Sequence, residues 1–572
     1  MDQEKRNLIL ALALCAGIFG VWQYTMVPRQ TAQVAPVATE TRPVAEPGVA
    51  TPGDVPAPGS AAGVPVSPTA PEQTVTLENE HTRYVFTDRG AALKQAFLKG
   101  DKFAPAKGDR SQGLEISRTA EARQHPFLVS FPGSGFQLPE STIYRVTESS
   151  QTHVVFVAEA DGVAIRKTYR LRGERYRLQL EVAVENRSSG EQKHNLVLHI
   201  FGQQNPATKG GGFFDYATAS VTEMACLIND DIERNAVDAL VKEKYEEQGV
   251  VRWIAADERF FTLAAVPPAQ EDGGGRKCGQ RVVQKGDEVA SAAEIFLALD
   301  EAKVASQKSR VYPFELYVGP KYRLDLTAVL APPMATGGQG QTADLDRVVN
   351  VSFAFLSRPM LALLKMFFGL TQNWGLAIIL LTILVRMVTF YPTHKQLVSG
   401  KKMARLGPKM AELRKKYGDD RERMGRETMN LYKTAGVNPL GGCLPALIQM
   451  PIWIALFSTL SYSVELYRAD LGLHIHDLSA PDPFYISPLA MGVVMFLQMR
   501  MAPPGADPAQ QKMMAIMMPI MFTGFQLFLP AGLAVYMLTS YLIGILHQLW
   551  VNHLDRKDNG PLEPVPTPVQ KS

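Results

Sequence analysis

A single arginine, Arg386, interrupts an apolar run that extends from Trp374 to Tyr391. A charged side chain at mid-membrane costs on the order of 2.5 to 3.5 kcal/mol on insertion scales, so it is expected to face protein or water and to mark a functional site. Thr382 lies four residues before Arg386 and Thr389 three residues after it, so one helical face carries both hydroxyls beside the guanidinium. Arg386 also lies five residues before Tyr391, and snorkelling to the membrane surface is an equal alternative.

Other apolar runs of the chain carry amides and hydroxyls but no Asp or Glu. An arginine with amide neighbours and without a carboxylate in these runs predicts a water-filled cavity. It argues against a proton relay, which usually depends on intramembrane carboxylates. The candidate lining of the cavity is Arg386, Thr382, Thr389, Gln449, Gln498, Gln526 and Tyr536.

Membrane-spanning helices are needed to position these side chains. The mean hydropathy and the net charge of the whole chain do not reveal such helices. The mean hydropathy of -0.05 and the net charge of +3 describe an ordinary soluble protein, and that charge is too small for specific nucleic-acid binding. Residues 513–554, however, are 42 consecutive positions without Asp, Glu, Lys or Arg. Because about 17 to 25 apolar residues cross a bilayer, we predict six spans, the last five forming a core at 371–552. The six lie at 1–27, 374–391, 443–464, 484–498, 513–529 and 533–550.

The loops between the runs predict the orientation of the chain. Residues 392–442 carry 12 Lys plus Arg against five Asp plus Glu, whereas 467–485 carry one Arg against three Asp. The positive-inside rule therefore places the first loop and both termini in the cytoplasm. Apolar residues recur at helical spacing on either side of Gly418, which predicts a cytoplasmic helical hairpin at 395–436.

Two further stretches of the membrane block have special compositions. Residues 351–370 are apolar but contain Pro359 and Lys365. Since proline suits the first turn of a helix, we predict an amphipathic helix that lies in the membrane interface. Five methionines on one later run predict core packing or, alternatively, an adaptable apolar surface. They are Met513, Met514, Met517, Met518 and Met521.

Residues 76–340 follow a period of two, which predicts a large exported β-sandwich. Apolar and polar residues alternate most clearly from Tyr176 to Glu185, and 231–248 is predicted as one short helix. Cys226 and Cys278 could form a disulfide in an oxidising compartment, but their spacing cannot show that they are close. The spacing of residues in this region indicates neither a catalytic triad nor a metal site.

The N-terminal run at 1–27 is predicted as an uncleaved anchor, because no clear small-x-small cleavage site closes it. A cleaved signal peptide and a lipid anchor at Cys15 are the alternatives. Residues 28–75 are rich in Pro and Ala and poor in charge, which predicts a flexible linker.

The stretch from Val437 to Ile452, VNPLGGCLPALIQMPI, resembles the signature of the YidC/Oxa/Alb3 family of membrane protein insertases. The Arg386 run, the basic loop and the turn at 529–533 are also similar to that family, and the large exported domain resembles its Gram-negative branch. The resemblance implies a multidomain α+β protein of the inner membrane. Its expected parts are a periplasmic β-supersandwich and an α-helical bundle with six transmembrane helices.

The resemblance further implies insertion of nascent membrane proteins through a hydrated, positively charged groove, alone or with the Sec translocon, without a cofactor or an enzymatic step. Lipids are implied partners, and the ribosome is a weak one through the cytoplasmic loops. The tail at 553–572 carries three basic and three acidic residues, so it lacks the basic excess of tails that bind ribosomes. The implied substrate-receiving side chains of the hairpin are Lys401, Lys402, Arg405, Lys409, Arg414, Lys415 and Lys416.

A transporter and an envelope enzyme are the alternative functions. A six-span transporter with a periplasmic β-domain predicts intramembrane carboxylates or an internal repeat, and the sequence has neither. An envelope enzyme acting on a glycan needs carboxylates or histidines that converge in a cleft, which sequence alone does not reveal.

Overall fold

The computed structural model describes residues 71–104, 113–117, 124–204, 221–269, 275–285, 291–333, 341–351, 353–417, 420–436, 444–501 and 508–559. The predicted anchor at 1–27, almost all of the linker at 28–75 and the end of the tail lie outside the described residues. From Gln73 onward the described residues belong to one unit.

The first half of the described chain is built from antiparallel strands. The strands are β1 (Thr74–Glu78), β2 (Thr82–Thr87), β3 (Ala92–Leu98), β4 (Leu114–Glu115), β5 (Leu128–Ser130), β6 (Arg145–Ser149), β7 (His153–Ala160), β8 (Val163–Leu171), β9 (Arg177–Asn186), β10 (Gln192–His194), β11 (Val197–Gln204), β12 (Glu223–Ile228), β13 (Asp231–Ala236), β14 (Tyr245–Gly249), β15 (Val251–Asp257), β16 (Phe261–Val266), β17 (Arg276–Gln284), β18 (Ser291–Ala298), β19 (Ala302–Val304), β20 (Ser309–Pro320), β21 (Leu330–Ala331) and β22 (Gln341–Thr342).

Two large sheets enclose the core of this β-domain. The larger sheet has the strand order β13-β12-β15-β16-β20-β9-β8-β7-β6, and the smaller has the order β14-β17-β18-β11-β5. In β9 Leu178, Leu180, Val182 and Val184 are fully buried, while the three residues between them are half-buried. The alternation expected from the sequence is therefore confirmed, since successive side chains point to opposite faces of a strand.

A disulfide joins the two sheets. Cys226 on β12 of the larger sheet is bonded to Cys278 on β17 of the smaller sheet, and both side chains are fully buried. The pairing that the sequence left open is thus present in the structure. It joins the two sheets covalently beside a hydrogen bond from Asn235 of β13 to Gln280 of β17 at 2.9 Å.

The prediction of one short helix at 231–248 is wrong. This segment forms the edge strand β13, a single helical turn at Val237–Leu240 (α1) and the edge strand β14. Its many charges suit the outer strands of the two sheets, because charged side chains protect exposed sheet edges from pairing with other chains. The hydrogen bonds come from β12 and β17, partners that a local sequence pattern does not reveal.

The second half is helical. The further helices are α2 (Arg323–Thr327), α3 (Ala354–Thr371), α4 (Trp374–Val388), α5 (Phe390–Ala404), α6 (Gly407–Tyr417), α7 (Arg421–Thr434), α8 (Leu444–Tyr462), α9 (Ile486–Met501), α10 (Pro508–Gln526) and α11 (Ala531–Asn559). By length and composition, Ala354–Thr371 and Ala531–Asp555 can each span a membrane, and α4 with α5 is a third span if that bent pair counts as one. Ile486–Met501 and Met513–Gln526 are shorter apolar helices, so the count of six spans stays a prediction.

The run predicted as one span at 374–391 ends earlier, because the chain bends by 62° between α4 and α5. Two threonine hydroxyls at the bend add a second donor to carbonyls that already accept a helical N–H bond, an arrangement that often bends helices. The Thr389 hydroxyl donates to the Val385 carbonyl at 2.8 Å, and the Thr393 hydroxyl donates to the Thr389 carbonyl at 2.7 Å. Pro392 lacks an N–H group and cannot complete the helical ladder. The bend therefore starts three residues after Arg386 and leads α5 away from α4.

The helix predicted at 351–370 forms as α3, with one difference at its start. It begins at Ala354, so Pro359 lies inside the helix and not in its first turn. Lys365, which argued against a membrane span, is paired with Glu465 at 2.5 Å. Since α3 is long and apolar enough to cross a membrane, its predicted place in the interface stays a prediction.

Candidate functional site

The Arg386 guanidinium connects α4 to α11. Its Nε donates to the Ser540 hydroxyl oxygen at 2.8 Å, and its Nη2 donates to the same oxygen. Ser540 is buried, whereas Arg386 is half-buried. Sequence reasoning missed Ser540, because a serine in an apolar run is unremarkable until the helix that faces it is known.

A tyrosine and a glutamine extend this contact to a third helix. Tyr536, one helical turn before Ser540 on α11, makes side-chain hydrogen bonds with Ser540 and with Gln449 of α8. Within the described ranges Arg386 is paired with hydroxyl oxygen and forms no ion pair with a carboxylate. The positive charge is therefore oriented by neutral groups and can still attract an anionic group that enters the site.

The two threonines of the predicted lining turn to their own helix. The Thr382 hydroxyl donates to the Ile378 carbonyl at 2.7 Å, and Thr382 is fully buried. Thr389 is also buried and donates to Val385 at the bend. Both hydroxyls satisfy backbone carbonyls, so we leave them out of the proposed groove.

The other two predicted glutamines have other neighbours. Gln526 is buried at the end of α10, where its amide donates to the Pro530 carbonyl at 3.4 Å and supports the turn into α11. Gln498 of α9 packs over Gly544 of α11, because a Cβ added there would lie 2.5 Å from its Nε2 atom. The structure thus brings Arg386, Gln449 and Tyr536 together and places Gln498 beside the next turn of α11.

A cavity of about 320 Å³ opens beside Arg386, between the α4–α5 bend and α11. Aromatic rings form its far side: the Phe390 ring stacks on His547 with centroids 4.6 Å apart, and His394 Nδ1 lies 3.3 Å from His547 Nε2. The sequence signal that could have revealed these rings is the aromatic end of the last apolar run, because aromatic residues favour the membrane interface. The lining consists of Arg386, Phe390, Thr393, Ile543, Gly544, Leu546, His547 and Trp550.

The basic residues after the bend have two different surroundings. Lys401 of α5 is buried and lies 3.3 Å from Asp555 of α11, and Arg405 donates to the same carboxylate at 3.0 Å. These two side chains fix α5 to the end of α11, so we leave them out of the receiving surface. Four of the remaining candidates are exposed and Arg414 is half-buried. The exposed four are Lys402, Lys409, Lys415 and Lys416.

The methionines of α10 do not form a buried core as expected. Met513, Met517 and Met521 are 56%, 61% and 58% exposed, and Met514 is also exposed. They share a face that lacks a protein partner in the described part of the chain. This arrangement favours the alternative interpretation, an adaptable apolar surface.

The β-domain is attached to the membrane block through cations on backbone carbonyls. Arg259 donates from Nε to the Ser461 carbonyl in the last turn of α8 at 2.8 Å, and burial lowers its pKa to about 10. Lys102 donates to the Val464 carbonyl at 2.7 Å, and burial lowers its pKa to about 8. The Tyr467 ring packs between Phe260 and Phe261, at centroid distances of 5.1 and 5.3 Å.

Comparison with known proteins gives matches to both halves of the chain. A family model described as YidC periplasmic domain matches residues 74–363, and one described as 60Kd inner membrane protein matches residues 366–558. The chain is 34% identical to the membrane protein insertase YidC of Anaeromyxobacter sp. (strain Fw109-5), over 96% of this chain and 97% of that protein. It is 32% identical to that of Actinobacillus pleuropneumoniae serotype 7 (strain AP76), over 97% and 99%.

A solved structure also matches. The crystal structure of an active YidC insertase with the first transmembrane domain resolved is 20% identical and covers 85% of this chain and 93% of its own, with a TM-score of 0.36.

Proposed function

Because the chain belongs to the YidC family of membrane protein insertases, we propose that it inserts nascent segments through a groove built around Arg386. The protein is an inner-membrane insertase with a large periplasmic β-domain, and its substrates are nascent membrane proteins. One observation carries the groove proposal: Arg386 lines a cavity of about 320 Å³ and is held there by Ser540 without a paired carboxylate in the described residues.

The charge of Arg386 selects the polar part of a substrate. A guanidinium already paired with a carboxylate would gain little from a second anion, but one held by a neutral hydroxyl attracts acidic residues of a translocated tail. The attraction is strongest in a site that partly excludes bulk water. Arg386 therefore binds the flank of the nascent segment while the hydrophobic part is still leaving the groove.

The free energy of insertion comes from burial of the substrate's apolar residues. Each square ångström of apolar surface removed from water contributes about 25 cal/mol, so a hydrophobic helix supplies far more than one ion pair. The exposed methionines of α10 offer a flexible, polarizable surface for segments of varied shape. Insertion therefore needs no covalent step and no nucleotide hydrolysis by the protein.

The basic loop receives the substrate on the cytoplasmic side. Its exposed lysines on α5 and α6 extend from the cavity mouth, and the charge bias between the loops supports a cytoplasmic position for both termini. The groove then opens toward the cytoplasm. We further propose that the Sec translocon and membrane lipids are partners and that ribosome contacts are weak and made by these loops, since the tail is electrically balanced.

Photocrosslinking to a stalled nascent chain tests this groove. A photoreactive amino acid at Leu546 or Trp550, which line the cavity, should crosslink to the chain while its hydrophobic segment is emerging. The same amino acid at Thr382, which is fully buried against its own helix, is the matched control and should not. Crosslinks from Thr382 equal to those from Leu546, or none from either cavity position, would contradict the proposal.

A further inference from the structure

A serine, a histidine and a glutamate form a hydrogen-bonded chain in the β-domain, far from the groove. The Ser130 hydroxyl lies 2.7 Å from His199 Nε2, and His199 Nδ1 is hydrogen-bonded to Glu294. The serine and the histidine are 69 positions apart, and the histidine and the glutamate are 95 apart. The sequence therefore indicated no triad, because only the pairing of β5, β11 and β18 brings the three together.

All three side chains are on the face of the smaller sheet that points away from the sandwich core. Leu198 and Ile200 of β11 belong to the core, so His199 between them points to the opposite face. His199 and Glu294 are buried there, whereas Ser130 at the end of the edge strand β5 is half-buried. The arrangement thus has a half-buried serine beside a buried base and a buried acid.

The imidazole is held in place from several sides. The ring of Phe201, two residues further along β11, is stacked on His199 with centroids 6.2 Å apart, and the Phe296 ring of the neighbouring strand β18 lies 6.4 Å away. Glu294 accepts a second bond from Arg281 Nε at 2.6 Å. Burial raises the pKa of Glu294, but the bonds from His199 and Arg281 outweigh burial and lower it. An ionised Glu294 keeps the proton on Nδ1 and leaves Nε2 to accept from the Ser130 hydroxyl.

We propose that Ser130, His199 and Glu294 are a nucleophile, a general base and a positioning residue for the hydrolysis of carboxylic esters. A nucleophile hydrogen-bonded to a base that a third group orients is the arrangement required for acyl transfer. The Phe296 ring beside His199 is half-buried, and the Arg281 guanidinium lies over it at 5.4 Å from the ring centroid. This activity is independent of membrane insertion.

The reaction needs only these three side chains, the ester and water. Ser130 Oγ attacks the ester carbonyl carbon while its proton passes to His199 Nε2, and that proton then goes to the leaving alcohol as its bond to carbon breaks. Water attacks the acyl carbon while His199 takes a proton from it; the bond from Oγ to the acyl carbon then breaks, His199 returns the proton to Ser130 Oγ, and the carboxylic acid leaves. Glu294 stabilises the positively charged imidazole in both steps.

The chain contains an internal control. Ser150 donates to or accepts from His153 Nδ1 at 2.8 Å, and His153 Nε2 lies 3.6 Å from Glu148. This second set has the same residue types, but it lies in an exposed turn where water competes for its hydrogen bonds, and no ring among the described residues stacks on His153. If residue type alone mattered, Ser150 and Ser130 would react alike.

The full-length protein is treated with a fluorophosphonate, and modified serines are located by mass spectrometry. Phosphonylation forms the Oγ–P bond, breaks the P–F bond and releases fluoride, with the serine proton taken up by His199. We expect labelling at Ser130 and none above background at Ser150, and a loss of about 10² to 10⁴-fold in His199→Asn, the usual contribution of a general base. Equal labelling at both serines, or labelling of Ser130 that His199→Asn leaves unchanged, would overturn the proposal.

Hydrolysis of p-nitrophenyl butyrate supplies the second readout. Ser130→Ala, a change at a half-buried position that leaves the fold intact, should abolish turnover. Glu294→Gln should lower kcat with little change in KM, because a positioning residue acts on the imidazole and not on the bound ester. Turnover that survives Ser130→Ala, or an absence of turnover in the native protein, would show that the three residues serve only to hold the strands together.

Discussion

The contact between Arg386 and Ser540 sets the strength of the groove charge, and Ser540→Ala tests it. The serine oxygen accepts two donors of one guanidinium, Nε at 2.8 Å and Nη2. Hydrogen bonds to charged groups contribute about 1.5 to 3 kcal/mol each, but water in the cavity replaces part of what the variant loses. A net loss of about 1.5 kcal/mol in the orientation of Arg386 corresponds to about a tenfold fall in insertion.

The assay measures insertion into proteoliposomes of two substrates that differ only in the translocated tail. A tail with two acidic residues should insert about tenfold more slowly in Ser540→Ala, whereas a neutral tail should be affected much less. Thr382→Val is the matched control, because that hydroxyl is buried and bonded to its own helix, so neither tail should be slowed. The reasoning is refuted if Ser540→Ala slows both tails equally, or if Thr382→Val slows the acidic tail as much.

Three further predictions concern stability. In Asp555→Asn, the buried Lys401 loses the carboxylate 3.3 Å away, so thermal unfolding in detergent should show a loss of about 1 to 3 kcal/mol; an unchanged midpoint would contradict the pairing. Replacing both Cys226 and Cys278 by Ala should lower the free energy of unfolding of the β-domain by about 2 to 4 kcal/mol in urea titrations, with no effect of reductant on the variant. Burial lowers the pKa of His194 to about 4, so the unfolded chain binds a proton more readily below its own value near 6.5. Stability should be full above pH 6.5 and fall as the pH drops toward 4, and His194→Gln should flatten that slope in acid titrations.

The sequence predicts those features of the molecule that repeat locally. Alternation in β9 follows from the period of a strand, and the apolar runs coincide with α4 and α8 to within a few residues. The prediction failed at 231–248, where charges that fit a helix surface equally fit two sheet edges. Local pattern cannot separate these cases, because the hydrogen bonds that stabilise an edge strand come from distant residues.

Local sequence pattern predicts only part of the groove as well. Arg386 is conspicuous in the sequence because its charge conflicts with its neighbours, and this conflict is visible without a structure. Its partner Ser540 lies 154 positions away and conflicts with nothing. Thr382 lies on the same helical face as Arg386, but its hydroxyl donates to the carbonyl four residues earlier. Any threonine in an apolar helix can form this hydrogen bond. Which polar residue reaches a cavity therefore depends on rotamers and neighbouring helices.

Three cations at buried or half-buried positions carry the same charge but have different roles. Their hydrogen-bond partners decide whether each one joins the two domains or can bind a substrate. Arg259 and Lys102 each donate to a backbone carbonyl at the end of α8 or just after it, where the helix dipole favours a positive charge. An approaching carboxylate would have to displace those carbonyls and leave them without donors, at a cost of about 1 to 3 kcal/mol each. Arg386 instead holds a single hydroxyl oxygen beside an open cavity, so a carboxylate can bind it without stranding a buried acceptor. A guanidinium therefore attaches two domains at Arg259, whereas at Arg386 it can bind an anionic group of a substrate.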